Sequence, residues 1–560
     1  MAVKNVYKEL ADLIFPNITE TIEDLENRYP KRDLPEGAFV TRFAPSPTGF
    51  LHTGSLFAAT ISWKLATQSK GVFYVRLEDT DQKREIEGSG KDLIDQLAKF
   101  DIVPSEGYYG DHQEGDYAPY VQSERENIYK VVIKYMIEHN MAYPCFCSTT
   151  ELDELRKAQE ANKENFGYYG KYAKCSFLTP EEAIERIKNG EPYVIRFRSH
   201  GDSSKKVKFV DAIRGEIEIA ENDQHIVILK SDNLPTYHFA HLVDDHFMRT
   251  THVTRGEEWM PSVPVHLELF DTMKWERPTY AHLPVIMKLD NGNRRKLSKR
   301  KDPEAAVSYF LEQGYPVDGF MEYLFTIANS NFEAWRDENP KAPRSEFKLT
   351  FNKMSLDGAL FDLAKIQNLC KEKLGHMDTQ TFASESYKWA KVYSKELQEL
   401  IERNFDYYAS IVGIEREKEN PRKDYEKYSD IFPLIKFFYN DYYEEMFYEN
   451  FNIPENISKE NAIKMLNLYA KKLDLTLDEE EWFNTMKEVA VECGFAATPK
   501  EWKKNKEAFP GHVGDLAALL RMVNTLRLQS PNLYYVMKIL GKAEVLHRIK
   551  LATKKLEENN

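Results

Sequence analysis

Two short strings in this chain have the residue types and spacing to do chemistry on phosphates. Ala44-Pro45-Ser46-Pro47-Thr48-Gly49 runs into His52-Thr53-Gly54-Ser55. Lys296-Leu297-Ser298-Lys299-Arg300 lies about 240 residues later. In the first, Pro45 and Pro47 fix the backbone approach and Gly49 permits close contact with a ligand. His52 and Gly54 are expected at the start of a helix, where free N–H groups favour phosphate and a histidine can donate to its oxygens. In the second, two lysines flank a small polar residue on a loop, as point charges on flexible stems suited to moving phosphates. Taken singly, the first string is an ordinary Pro/Gly turn and the second a solvated basic loop. Together, in this order, they suggest one ATP site closed from two sides.

A second constellation lies around them. Arg42, Ser46 and Glu78 fall at strand ends, while Tyr237, Arg255 and Trp259 come from later in the chain. An arginine can hold a carboxylate by a paired contact and a buried glutamate suits an amino group, so the set would fit an acidic amino acid. Read without context, Arg42 and Glu78 are an ordinary ion pair.

The elements that must position these groups follow from the patterning. A strand is expected from Ala38 to Phe43, a helix through Leu56, Ala59, Ile61 and Leu65, and a buried strand from Val72 to Leu77 ending in Glu78-Asp79. Strand, loop, helix, strand opens a parallel α/β sheet, whose ligands bind beyond the carboxyl ends of the strands. Residues 118–225 have a different texture and read as an insertion. Helices are expected near Ile128–Tyr135 and 150–161, and another starts at Thr179-Pro180-Glu181-Glu182 with a capping box and stops at Gly190. Strands near 193–198, 207–212 and 226–230 follow, and sheet pieces resume around Tyr237 and Val253. Helices dominate beyond Pro303, with amphipathic stretches at 462–472 and 515–526 and a charge-rich excursion at 411–428. Residues 1–37 read as an appendage with a helical stripe of Val6, Leu10, Leu13 and Ile14.

Bulk properties bound the class. At 560 residues the chain is long enough for about three or four domains. It is 42% hydrophobic and 13% aromatic, ample for several cores. The net charge is −14, yet Lys500–Lys555 holds twelve basic and four acidic residues. An acidic average leaves room for a nucleic-acid partner that binds a local patch, although such a run is equally a solvated face. Five cysteines, an odd number, argue against a disulfide framework. Residues 1–38 hold eight acidic residues, unlike a transit peptide, and no run approaches the ~18 apolar residues of a membrane span. The expectation is a soluble protein of a reducing cytoplasm.

Val40 to Ser55, Arg76-Leu77-Glu78-Asp79-Thr80-Asp81 and Tyr237-His238-Phe239-Ala240 resemble the bacterial-type glutamyl-tRNA synthetases, which are class I aminoacyl-tRNA synthetases. So do Val243-Asp244-Asp245-His246, Thr254-Arg255-Gly256-Glu257-Glu258-Trp259, the Lys296–Arg300 string, Gly358-Ala359-Leu360-Phe361-Asp362, and the late stretch from Leu520-Arg521 to His547-Arg548-Ile549. The resemblance runs from about residue 38 to the C-terminus. It implies an α/β, Rossmann-like catalytic domain in two halves, 38–117 and 226–290, after an N-terminal extension at 1–37. An inserted α+β acceptor-binding domain at 118–225 interrupts it. A stem-contact domain at 291–376 carries the lysine loop, and an all-α anticodon-binding region fills 377–560.

The resemblance also implies roles. Pro47, Gly49, His52, Gly54, Ser55, Lys296, Ser298 and Lys299 match the ATP-binding positions, with His52 and Lys299 stabilising charge in the transition state. Arg42, Ala44, Ser46, Glu78, Tyr237 and Arg255 match the glutamate-binding positions, Arg255 for the side-chain carboxylate and Glu78 for the α-amino group. Glutamate would attack the α-phosphate of ATP, assisted by Mg²⁺, and the glutamyl group would pass to the terminal ribose of tRNA(Glu), with tRNA(Gln) open as a second acceptor. A monomer without membrane contact is implied.

The chain departs from the family pattern at Ser55, where the ATP motif often has histidine, at Leu297 in place of methionine, and at His241, where a smaller residue is common. Some members of the family bind zinc in the inserted domain. Cys145, Cys147 and Cys175 lie in that region, with Tyr168, Tyr169 and Tyr172 nearby. Three cysteines and a tyrosine make an irregular zinc set, and free thiols are the favoured reading. The alternatives are a glutaminyl-tRNA synthetase, which typically ends in β-barrels, a truncated relative that modifies a tRNA base, and a catalytically inactive tRNA-binding paralogue.

Overall fold

The computed structural model describes residues 2–81, 83–298 and 300–558. The chain divides into two compact units, Met1–Phe310 with Met321–Asp362, and Leu311–Phe320 with Leu363–Asn560.

In the first unit, α1 (Ala2–Ile14) and α2 (Ile22–Arg28) precede the sheet. β1 (Val40–Phe43) leads through the loop at 44–52 into α3 (Thr53–Gln68) and returns as β2 (Val72–Val75). α3 buries Leu56, Phe57, Ala59, Ile61 and Leu65, the pattern of a helix packed between layers rather than on a surface. β1 and β2 pair in parallel, Val40 opposite Val72. After α4 (Ser89–Lys99), β3 (Glu106–Tyr108) joins β2 in parallel and β4 (Gln113–Glu114) closes the edge antiparallel.

The insertion starts from α5 (Glu126–Glu138) and β5 (Ala142–Cys145). α6 (Thr149–Ala161) and α7 (Pro180–Lys188) each open on a capping box, Ser148 with Glu151 and Thr179 with Glu182. Gly190, at φ +78°, follows the last turn of α7, a backbone state that glycine enters without steric cost. β6 (Val194–Phe197) lies between β5 and β9 (Val227–Leu229), antiparallel to both. β7 (Lys206–Asp211) and β8 (Gly215–Ala220) form a separate hairpin.

The sheet resumes after α8 (Tyr237–Phe247). β10 (His252–Gly256) and β11 (Thr279–Leu283) pair in parallel, connected through α9 (Val263–Met273). Thr251 N donates to the Val40 carbonyl at 3.0 Å, which brings β10 beside β1. The sheet piece expected around Tyr237 is instead the first turn of α8. Its aromatic start reads like a strand, but Phe239, Leu242, Val243 and Phe247 bury at helical spacing.

The N-terminal residues, read from the sequence as an appendage, are built into this unit. α1 packs on α5 and α7, and Leu10, Ala11, Phe15, Ile18, Leu25 and Tyr29 join the core that holds Tyr129, Val132 and Phe239. Arg32 spans Glu106 Oε2 and the Met248 carbonyl, each at 3.0 Å. A short amphipathic stripe carries no signal of which surface will cover it.

The second unit is built of helices from Leu363–Gly375 to Lys542–Glu558, with one isolated bridge between Ala496 and His512. One core centres on Phe382, Leu400, Tyr408 and Ile431, the other on Met465, Tyr469, Leu516 and Ile549. Among the described residues no helix is long and apolar enough to cross a membrane.

Candidate active site

A cavity of about 1130 Å³ opens at the carboxyl ends of β1, β2 and β10 in the first unit. It is lined by Arg42, Ala44, Ser46, Gly49, His52, Gly54, Ser55, Glu78, Tyr237, Arg255 and Lys296, and by Trp259. Eleven of the fourteen residues singled out for ATP and amino-acid binding therefore share one space. Pro47 and Ser298 do not line it, and Lys299 lies outside the described residues.

The loop after β1 is stitched in place by main chain. Glu78 N donates to the Pro45 carbonyl at 2.9 Å, and Ile86 N to the Pro47 carbonyl at 2.8 Å. His52 caps α3, its Nδ1 accepting from Gly54 N at 3.0 Å. Gly54 thus spends its N–H on the histidine, and a Cβ there would sit 3.3 Å from the ring. The bond leaves the His52 proton on Nε2, the nitrogen that can donate to a phosphate.

At the amino-acid end the charges are nested. Arg76 is fully buried, donating to Asp245 Oδ1 at 2.7 Å and Glu78 Oε1 at 2.9 Å. Arg42 Nε lies 3.3 Å from both Asp245 oxygens. Burial works against the Asp245 charge, but Arg42 and Arg76 outweigh it and hold that carboxyl well below its usual range. Glu78 goes the other way. Burial raises its carboxyl, with the Arg76 guanidinium offsetting part of the shift. Arg76 and Asp245 lie within the sequence strings but were not singled out there; their signal is two adjacent acids, Asp244 and Asp245, on a mostly buried helix with no other acidic residue.

Arg255 occupies the opposite wall. Its Nε donates to His282 Nε2 at 3.0 Å, and Nη1 reaches the Tyr237 hydroxyl at 3.4 Å. Trp259 packs at 4.4 Å on Tyr237. His241 is fully buried and does not line the cavity; its Nε2 meets the Tyr280 hydroxyl at 2.9 Å. Its Nδ1 lies 2.7 Å from Asp245 Oδ2, an ion-pair distance without hydrogen-bond geometry. Burial pushes the ring down to about 4, so it stays neutral at pH 7.

The lysine string follows a hairpin of β12 (Met287–Asp290) and β13 (Asn293–Lys296). Lys296 Nζ lies 3.6 Å from Glu258 on the cavity rim. Asp302 anchors the loop, accepting from Ser298 N at 2.8 Å and from Arg295 Nη1 at 2.6 Å.

In the insertion Cys145, Cys147 and Cys175 bring their sulfurs within 4.8 Å of one another. The Tyr168 hydroxyl lies 3.4 Å from Cys145 Sγ and 3.2 Å from Cys147 Sγ. Hydrogen bonds with Cys175 and Tyr168, helped by the Arg196 charge, lower the Cys145 thiol despite its burial. Tyr169 and Tyr172 are turned away, the latter onto Glu164.

The family described as "tRNA synthetases class I (E and Q), catalytic domain" matches residues 38–343, and "Anticodon binding domain" matches 420–553. A protein of Clostridium perfringens strain 13, "Glutamate--tRNA ligase", is 46% identical over 544 residues, covering 97% of this chain and all of that one. One of the same name from Acetivibrio thermocellus is 44% identical over 544 residues, covering 97% and 99%. A solved glutamate tRNA ligase of Elizabethkingia meningosepticum, in complex with its amino acid, superposes with a TM-score of 0.72 at 27% identity, covering 92% of this chain and 99% of that one. The cavity, the helical second unit and these relatives agree: the chain belongs to the glutamate–tRNA ligase family of class I tRNA synthetases.

Proposed function

We propose that this chain uses ATP to attach L-glutamate to the 3′ end of tRNA(Glu) through a glutamyl-adenylate. The observation that carries the reading is Arg255, a guanidinium 6% exposed on the cavity wall, with no acidic partner among the described residues. Arg42 and Arg76, by contrast, are already matched by Asp245 and Glu78. An unmatched buried cation favours a ligand that brings its own carboxylate.

Glutamate would lie with its side chain on Arg255 and its amino group on Glu78. The α-carboxylate then faces the α3 N-terminus, where it displaces pyrophosphate from the α-phosphate of ATP. His52 Nε2–H donates to the phosphate oxygens as charge develops, and Lys296 and Lys299 supply cations on the leaving side. Magnesium, which neutralises triphosphate charge when bound, has no protein cage among the described residues, where the one cluster of three or more potential ligands is the cysteine set. It would ride on the phosphates themselves. The insertion would take the acceptor end of the tRNA, and the helical unit its anticodon. The working form is a cytoplasmic monomer.

The cysteine set fits zinc. Three thiols and one phenol converge, and the Cys147–Cys175 sulfur distance of 3.6 Å is close to the ~3.8 Å spanned by two thiolates on one tetrahedral zinc. Cys145, Cys147, Cys175 and Tyr168 would hold the ion in a structural role, away from the reaction. One zinc per chain by elemental analysis, lost in Cys147→Ser, is the expected result; metal-free active protein refutes the site.

Aminoacylation with labelled glutamate and labelled glutamine, on purified tRNA(Glu) and tRNA(Gln) separately, tests the main reading. Glutamate on tRNA(Glu) is expected. Glutamate on tRNA(Gln) as well adds a second acceptor, and glutamine charging overturns the assignment of Arg255.

A further inference from the structure

Among the described residues, every hydrogen bond that Arg255 makes goes to an uncharged acceptor. Besides His282 and Tyr237, its Nη1 lies 3.3 Å from His266 Nδ1. Nη2 is buried and has no partner among the described residues, and the Tyr280 ring lies 4.8 Å from the guanidinium carbon.

A guanidinium only donates, so both imidazole nitrogens facing it must be bare. His282 then carries its proton on Nδ1, 2.7 Å from Asp211 Oδ2. His266 carries its proton on Nε2, which donates to His238 Nδ1 at 3.0 Å. Two relays converge on one arginine. Asp211 is itself held rigidly at the end of β7. Its Oδ1 accepts from Ile213 N and Arg214 N at 3.0 Å each, and Oδ2 accepts from His282 N at 3.1 Å. Burial opposes the Asp211 charge, but the His282 ring and the two turn N–H groups outweigh it, so the carboxyl titrates below its usual range. Burial pushes His282 and His266 down, which keeps both rings neutral.

We propose that Asp211 and His282, seconded by His266, are positioning residues that fix the acceptor tautomer facing Arg255 and so leave its charge for the ligand's side-chain carboxylate. The inference rests on the reading of Arg255 as glutamate's partner. A carboxylate placed directly on Arg255 would hold it equally well but cancel the charge that separates glutamate from glutamine. An imidazole interposed between Asp211 and Arg255 orients the guanidinium without neutralising it. The arrangement is thus a specificity device, since a charged acceptor binds the unpaired guanidinium more strongly than an amide does.

Asp211→Asn tests it in the full-length enzyme. An asparagine that keeps its oxygen on the Ile213 and Arg214 N–H groups presents N–H to His282, forcing the proton to Nε2, where it opposes Arg255 Nε–H. In ATP–pyrophosphate exchange with tRNA present, KM for glutamate should rise about 10- to 100-fold, the range expected for a lost bond to a charged group, with KM for ATP unchanged. The preference for glutamate over glutamine should fall with it. His282→Ala should behave like Asp211→Asn, whereas His282→Gln, whose amide oxygen can still accept from Arg255, should keep most of the preference. Wild-type KM and preference in both Asp211→Asn and His282→Ala overturn the relay. Arg255→Met separates the two claims: if it too leaves glutamate binding unchanged, the reading of Arg255 falls, and if it alone abolishes the preference, only the relay falls. Should Asp211→Asn fail to fold, ¹⁵N shifts of labelled wild-type histidines decide, a protonated Nδ1 on His282 supporting the relay and a protonated Nε2 refuting it.

Discussion

Thr53 Oγ1 donates to the Glu304 carbonyl at 2.8 Å, across 251 residues of chain. The bond ties the start of α3 to the segment that follows the lysine loop. An antiparallel bridge between His52 and Ala306, and Val307 N on the Leu51 carbonyl at 3.1 Å, reinforce it. The two phosphate-directed strings are therefore one structural assembly even without a nucleotide.

Thr53→Val keeps the shape and removes the donor, leaving a buried carbonyl short of a partner at a cost of about 1–3 kcal/mol. The expected result is a lower unfolding midpoint and a higher KM for ATP, with KM for glutamate unchanged. Steady-state kinetics in both substrates checks it, and an unchanged KM for ATP would show that the tie does not set the geometry of the nucleotide site.

Glu78 should make amino-acid binding sensitive to acid. Burial raises its carboxyl above the usual range, so its charge is lost at a higher pH than that of an exposed glutamate, which titrates near ~4.3. KM for glutamate should climb as the pH is lowered from neutral, and Glu78→Gln should give a high KM with a flatter profile. Stability moves the opposite way for this group, because the folded state holds the proton more tightly than the unfolded one and folding gains as pH falls. A wild-type KM that is flat down to about pH 5 would remove Glu78 from the ammonium site.

His252 should contribute acid lability in the first unit. Its ring stacks on Phe39 at 3.7 Å and lies 6.1 Å from Phe351. Burial pushes it down to about 4, against ~6.5 in an unfolded chain. The folded state therefore binds fewer protons between these values, and stability is full above ~6.5 and lost as the pH falls toward about 4. His252→Phe keeps the stack and deletes the proton site, so its melting temperature should drop less than that of the wild type between about pH 7 and pH 5. An identical drop would assign the lability to the other buried histidines.

Lys503 and Lys504 end an exposed helical turn, Pro499–Lys504, beside Lys506 over the Trp502 ring. If this face meets tRNA phosphates, reversing both charges should weaken binding and make its salt dependence shallower by roughly 0.7–0.9 in log–log slope for each phosphate no longer neutralised. An unchanged slope would give the patch to solvent. Filter binding at several salt concentrations distinguishes the two.

How far the site was legible depended on whether its residues are adjacent in sequence. The strings 44–55 and 296–300, and the strand ends carrying Arg42, Glu78 and Arg255, are local patterns, so they could be placed on turns and strands before any contact was known. The helix at 180–188 was legible for the same reason, since a capping box, a first-turn proline and a terminal glycine are chemical signals within about ten residues. Tyr237 was misplaced because an aromatic neighbourhood suits a strand as well as a buried helix, and burial rather than propensity decided. Tyr168 was one of three neighbouring tyrosines, and only the fold turned it toward the cysteines.

The sequence by itself determined the class of chemistry, because phosphate-binding turns, flexible lysines and an arginine–glutamate pair are short-range features with few other uses in combination. Tertiary structure decided which charges are spent and which remain available. Arg42, Arg76 and Arg255 are equivalent as letters, yet Asp245 and Glu78 engage the first two, while among the described residues only two imidazoles and a phenol accept hydrogen bonds from the third. Partners 27 and 71 residues apart, Arg255 with His282 and His282 with Asp211, have no common sequence signal. They meet because β10 and β11 pair in parallel and the β7 hairpin ends against them, and in a buried, low-dielectric setting that pairing decides the charge presented to a ligand.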